Sequence, residues 1–436
     1  MNPQDSEAIQ PASEDAAHPL IEDRWHSRDK QLIMSGSLLV CSLVIGSYFW
    51  APLLAAFEAD ESIEWTKKTT SFAITLSYAM EATGLILAGP MGDVFNARNL
   101  LAFQSMTICA TMMVVSLTKN VFVILLSIAV VTLVKGILWP CVGSVIVSNM
   151  SPGKRSVAFL IVSTASRLAD TSSSLLLGFL MGRLELTWRH ALSTELSFVL
   201  LILVRVMMIA PNHIAGPGDK EPSAYGFFAK WKRLITDPNG WLAFGSVFGT
   251  YFVWTLVAYT SVMLKDVYQT SVAVAVGASS AMPIGQFLGL LVGALASQWL
   301  SPSNSHLVHI GQGCIGVLAL LILASRVSFS LALALLVAVG FGFVILSYLP
   351  YFSYAQTAPE TERAFRLGLL DGIALGTSML ISDAYGRLRL SSETQDGYAP
   401  KLFLITAGGL LLSIVCTATL YSRLGQFPCA RRTVPA

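Results

Sequence analysis

The stretch VFVILLSIAVVTLVKGILWPCVGSVIV, residues 121–147, carries a single charged side chain, Lys135. Crossing the hydrocarbon core of a bilayer as a helix takes about 20 apolar residues, so this stretch spans a membrane with length to spare. Worked outward from it, the same ruler finds runs at 31–57, 69–91 and 99–117 upstream, and at 156–181 and 191–210 downstream. A second set follows at 241–264, 271–300, 306–325, 328–352, 364–386 and 402–422. The fold class is therefore all-α: a polytopic membrane protein with twelve transmembrane helices in two six-helix bundles. The fifth, sixth and eleventh spans are the weakest, because they contain charges.

Composition agrees. Of 436 residues, 54% are hydrophobic and 12% charged, and the mean hydropathy is +0.64; a soluble domain carries about 25% charged residues. So few polar groups cannot cover a water-facing surface, which makes the lipid bilayer a partner of the chain. A net charge of +2 argues against nucleic acid. The six cysteines show no metal-ligand spacing, and the six histidines fall in the tail, loops and span ends. His306 and His309 stand three apart, but nothing nearby completes a metal site. No Gly-x-Ser-x-Gly, Walker-type loop or HExxH sequence occurs. The expectation is no enzyme, no metal and no cofactor. An intramembrane enzyme, or a receptor-like sensor on a transporter fold, is the alternative.

Residues 1–30 hold seven acids against three bases and no apolar core. They read as a disordered acidic cytoplasmic tail, not a cleavable signal peptide. Residues 31–210 form the N-terminal six-helix bundle, 211–240 a central cytoplasmic loop, 241–424 the C-terminal six-helix bundle, and 425–436 a basic cytoplasmic tail. Within the central loop, Ala224 to Ile235 sets Tyr225, Phe227, Phe228, Trp231 and Leu234 among lysines. That suits a short helix lying on the membrane surface; a plain solvated linker is the other reading. An even number of spans puts both termini on one side. Loops on that side hold 15 Lys and Arg against 10 opposite, which places both termini in the cytoplasm. A monomer is expected.

The two halves echo each other. The first span opens near 31 and the seventh near 241, an offset of 210, and Gly89-x-x-x-Asp93 after the second span is matched by Gly293-x-x-x-Ser297 after the eighth. Two parallel six-helix halves around a midplane site is a transporter plan. Together with Arg98, the first of these stretches resembles the loop between helices 2 and 3 of the major facilitator superfamily, G-x-x-x-D-[RK]-x-G-[RK]-[RK]. Val94, Asn96 and Ala97 depart from that pattern. The resemblance covers 31–424. It implies a secondary transporter that moves a small-molecule substrate by alternating access, with helices 1, 4, 7 and 10 lining the path; uniport, symport with a proton and exchange for another ion all fit. A finer resemblance, carried by Lys135-Gly-Ile-Leu-Trp139-Pro140, Thr236-Asp-Pro-Asn and Tyr251-x-x-Trp254, is to the organophosphate:phosphate antiporters, which include the sugar-phosphate exchangers. Those hold phosphate with arginines on helices 1 and 7. Here no arginine occurs between 31 and 57, and Trp254 stands at the helix 7 position, so the bidentate clamp is missing. The resemblance implies kinship with a changed substrate.

A charge inside a bilayer costs several kcal/mol, so each deep one needs a reason. Glu81, Lys135 and Arg167 fall near mid-depth, Asp170 slightly beyond, and Asp371 about a third of the way in. Ser163, Arg167, Asp170, Thr171 and Ser174 form one polar stripe on the fifth span, with Arg167 and Asp170 spaced to pair. A structural lock and a direct part in transport both remain open for that pair. Lys135 either meets an anionic substrate or is neutralised by Glu81. Glu81, Asp93, Arg98, Asp170 and Asp371 are the candidates for coupling or gating. Tyr48, Tyr251, Trp254 and Tyr348 join Lys135 and Arg167 as substrate-binding candidates, against the plainer reading of packing or interface anchoring. Gln286, in a glycine-rich run, reads as a partner at a close helix crossing. Glu195, Arg205 and Asp383 fall near span ends, where they can snorkel to water. The substrate expected is a small organic anion held by Lys135 and Arg167. The competing account pairs Lys135 with Glu81 and Arg167 with Asp170, leaving a neutral cavity for an uncharged solute.

Overall fold

Helices follow the apolar runs one for one. The computed structural model describes residues 26–94, 97–209, 227–357, 360–392 and 397–424. The first half holds α1 (Ser27–Tyr48) and α2 (Trp50–Phe57) as the first span, then α3 (Lys67–Val94), α4 (Ala97–Leu117), α5 (Val121–Asn149), α6 (Pro152–Gly182) and α7 (Trp188–Ile209). A short helix, α8 (Phe227–Thr236), precedes the second half. That half holds α9 (Pro238–Tyr268), then α10 (Val272–Ala278) and α11 (Ala281–Trp299) as the eighth span, and α12 (Pro302–Leu323). It ends with α13 (Phe329–Phe343) and α14 (Leu349–Gln356) as the tenth span, α15 (Glu360–Ser391) and α16 (Ala399–Arg423). Ten spans are long and apolar enough to cross a membrane on composition alone. The other two are α6 and α15, whose charges hold them back; the sixth span, expected to be weak, is apolar enough.

Three spans are broken, and each break lies four residues before a proline. Proline has no N–H for the carbonyl at i−4, and its ring crowds that carbonyl. Pro52 frees Tyr48, where α1 gives way to α2. Pro283 frees Ser279, between α10 and α11. Pro350 frees Leu346, inside the 3-10 turn Ile345–Ser347 that joins α13 to α14.

Within the first half α1 packs on α6 and α7, and α5 on α3 and α4; within the second α9 packs on α16, and α13 on α11 and α12. The halves meet along three seams: α3 on α15, α6 on α10 and α11, and α2 on α9. Large apolar side chains such as Met106, Leu117, Leu201, Met207, Leu318 and Leu380 stay exposed on the outside, as a lipid-facing surface requires.

Three details adjust the expectations. α1 begins at Ser27, inside the expected tail of 1–30, because Asp29 in its first turn pairs with Lys154 of α6 at 3.0 Å and complements the helix dipole. Residues 1–25 and 425–436 lie outside the described residues. The amphipathic stretch is helical over α8, and its Leu234 is buried in a cluster with Ala243, Tyr354, Leu370 and Leu420, so this helix docks on the second half.

Candidate functional site

The side chains expected to matter converge halfway along the spans. Lys135 on α5 reaches both carboxylate oxygens of Glu81 on α3 at 3.0 Å. Two glycines make this possible: a methyl on Gly136 would overlap the carbonyl of Glu81, and one on Gly84 would overlap the carbonyl of Leu133, so α3 and α5 touch backbone to backbone. Lys135 also sits 5.2 Å over the ring of Tyr48 at the α1 break. On α6, Arg167 pairs with Asp170 at 2.8 Å. Its NH1 also donates to Gln286 Oε1 of α11 at 3.1 Å, and its guanidinium lies 5.0 Å over Trp254 of α9. One arginine thus touches three groups on both halves.

The second half supplies the rest. Tyr251 donates to Asp371 of α15 at 2.6 Å, Trp254 packs edge-on against Phe343, and Tyr78 of α3 donates to the Trp254 carbonyl at 3.0 Å. Tyr348 stands at the end of the break in the tenth span. Two buried donors in this layer, Gln286 Nε2 and Trp50 Nε1, have no hydrogen-bond acceptor.

A second layer closes the molecule at the end away from the termini. Arg389 of α15 forks onto Glu58 at 2.6 and 2.7 Å and donates its Nε to Asp266 of α9 at 2.8 Å. Thr70 donates to Glu58 at 2.5 Å and Tyr398 to Asp266 at 3.2 Å. The Arg389 side chain is 1% exposed and both carboxylates 7%. Burial alone would raise the Glu58 carboxyl, but Arg389, Thr70 and Lys265 hold it below the usual range. Beside this network, Ser261 donates to the Ala51 carbonyl and Lys265 to the Ala55 carbonyl, at 3.0 and 3.4 Å. Both pairs are 210 residues apart in sequence. These contacts tie α2 of the first half to α9 of the second.

A family model described as the Major Facilitator Superfamily matches residues 21–382. The chain belongs to the Major Facilitator Superfamily. It is a multi-pass membrane transporter of small molecules, not an enzyme. No curated protein matches its sequence. Among solved structures it resembles a bacterial homologue of the human lysosomal transporter Spinster in an inward-facing, unoccupied conformation, at 14% identity and a TM-score of 0.62, covering 95% of this chain and 100% of that one. It also resembles a D-xylose–proton symporter at 12% identity and a TM-score of 0.68, covering 91% and 98%. A nucleoside transporter aligns at 14% identity and a TM-score of 0.65, covering 91% and 99%. At these identities the likeness is one of fold.

Lys135, Glu81, Arg167, Asp170, Tyr48, Tyr251, Trp254 and Asp371 are thus linked by contacts within the spans, with Tyr348 at the break of the tenth span. The Lys135–Glu81 contact, left open by the sequence, and the Arg167–Asp170 contact, expected from its spacing, are both formed. Asp93 ends near the close of α3 and Arg98 near the start of α4, with side chains outside the described residues. One expectation is corrected. Glu195 does not snorkel: it is fully buried on the inner face of α7 with neither carboxylate oxygen hydrogen-bonded, because its helix turns that face toward the bundle. Asp383, 53% exposed and bonded to Arg387 at 2.8 Å, behaves as expected. Sequence reasoning missed the Glu58–Arg389–Asp266 network. Each member stands at a span end, where a charge is ordinary, and its partners lie far away in the sequence.

Proposed function

We propose that this transporter carries a small polar, uncharged solute past the midplane layer by alternating access, with the Glu58–Arg389–Asp266 network as the gate at the end away from the termini. The observation that carries the reading is the pairing of both deep cations with carboxylates at 2.8–3.0 Å. A compensated site offers little net field to select an anion. It presents aromatic faces from Tyr48 and Trp254 and buried donors from Gln286 and Trp50, which suit a solute with an apolar face and acceptor oxygens. Tyr251 and Tyr348 would contact the solute from the second half. Asp371, held by Tyr251, and Glu81 are the groups proposed to gate or to carry a proton, and the loop of Asp93 and Arg98 braces the terminal side. We further infer bundles of 31–210 and 241–424, both termini in the cytoplasm and a monomeric unit.

The organic-anion reading, with its kinship to the organophosphate:phosphate antiporters, stands second. One observation favours it: the Lys135–Glu81 pair is 19% and 17% exposed, against 8% and 7% for Arg167–Asp170, so an anion has better access to Lys135. A thermal-shift screen of purified protein against metabolite pools, followed by uptake in liposomes, separates the two. The expected hit is uncharged, and the double variant Lys135→Gln/Glu81→Gln should keep its affinity within about threefold, since a matched pair is removed whole. An anionic hit that loses affinity by about tenfold or more in the same variant would establish the anion reading instead.

A further inference from the structure

Beside the closed gate lies a cavity of about 360 Å³ lined by Glu58, Trp65, Lys67, Lys265, Asp266, Gln269 and Thr270. Its charges are not equally engaged. Glu58 accepts both guanidinium nitrogens of Arg389 and the Thr70 hydroxyl, and Asp266 accepts Arg389 Nε and the Tyr398 hydroxyl. Arg389 itself is sealed behind them. The ammonium of Lys265 donates to the Ala55 carbonyl and feels the nearby Glu58 charge, but neither it nor Lys67 makes an ion pair within 4.0 Å among the described residues. Two lysines thus line the cavity with two carboxylates whose oxygens are largely occupied by Arg389, Thr70 and Tyr398. Gln269, at the cavity, ends α9 in the left-handed conformation common at helix C-termini.

We infer that this cavity is an anion-binding site, one that takes a small carboxylate or phosphate between the ammonium groups of Lys67 and Lys265. Lys67 opens α3 in the first half, and Lys265 belongs to the last turn of α9 in the second. An anion bridging them therefore bonds to both halves at once, and only while the gate holds them together. A ligand that prefers the closed arrangement stabilises it by linkage, and closure in turn raises the affinity for the ligand. External anion then slows opening on this side and lowers the rate of uptake without entering the midplane layer. That consequence for transport rests on the alternating-access reading; binding at the lysines does not.

The probe is inorganic phosphate, titrated against the thermal unfolding midpoint of purified full-length protein at constant ionic strength. The wild type should show a saturable rise. Lys67→Gln/Lys265→Gln, both partly exposed positions whose loss spares the core, should bind phosphate about tenfold more weakly or not at all, while Lys68→Gln, outside the cavity, should match the wild type. Arg389→Gln, which unties the gate, should weaken binding by a similar factor if it folds. A wild type with no saturable rise, or a rise that persists in the double lysine variant, would overturn the site. Unchanged phosphate affinity in folded Arg389→Gln would overturn its coupling to closure. None of these readouts requires transport, so an inactive preparation does not confuse a failed site with a failed transport mechanism.

Discussion

Two glutamates inside the spans answer to opposite rules. Glu81 shares both oxygens with Lys135, so Glu81→Gln leaves an ammonium in the protein interior without its counter-charge. Removing one partner of a buried pair costs about 3–5 kcal/mol, whereas removing both can be close to neutral. Glu195 has no ionic partner to abandon, and an amide of the same shape fits its place. Glu81→Gln should therefore lower the thermal midpoint by several degrees, and adding Lys135→Gln should restore most of it, while Glu195→Gln should stay within a degree or two of wild type. A midpoint series in one detergent checks this. A large loss in Glu195→Gln would mean that its carboxyl makes a bond essential to the bundle.

At the scale of elements, proline and glycine shape the path. The three prolines place their breaks on the spans that present Tyr48, Ser279 and Tyr348, and glycines let helices from opposite halves touch. Gly178 of α6 lies against the backbone of Gly277 in α10, where a methyl group would overlap Gly277 Cα and N. Backbone cannot rotate away as a side chain does, and overpacking of this kind costs about 1–3 kcal/mol. The cost falls on the closed seam, since the two glycines belong to different halves. Gly178→Ala should accordingly favour opening at the end away from the termini. Maleimide labelling of Thr270→Cys, in a background without native cysteines, should be faster with Gly178→Ala than without it. Equal rates would show that the seam yields without opening the gate.

The whole molecule is held at that end by charge, which makes closure sensitive to acid. Glu58 titrates below its ordinary range, and so does Asp60, where burial is outweighed by bonds from Ser62, Arg189 and Trp188. A carboxyl depressed in the folded state contributes stability above its unfolded pKa, about 4, and loses it as pH falls through the lower folded value. The midpoint should thus be insensitive to these groups near neutrality and fall below about pH 4. In Glu58→Gln the midpoint at neutral pH should already be lower, and its acid slope shallower. An acid slope identical to wild type would remove Glu58 from the network's energetics.

The number of spans and the Arg167–Asp170 pair were legible because each is local: a run of about 20 apolar side chains, a spacing of three on one helix. The Lys135–Glu81 contact was legible only as one of two choices, since deciding it needed the close approach at Gly84 and Gly136. Glu195 misled because distance from a helix end does not say which face a side chain takes. The Glu58–Arg389–Asp266 network, joined across 331 and 123 residues, left no mark in any window of sequence. Sequence alone determined which segments leave water, because hydrophobic transfer is a property of each segment by itself. Tertiary structure decided which charges meet, because Coulomb and hydrogen-bond partners are chosen by how two packed halves face each other.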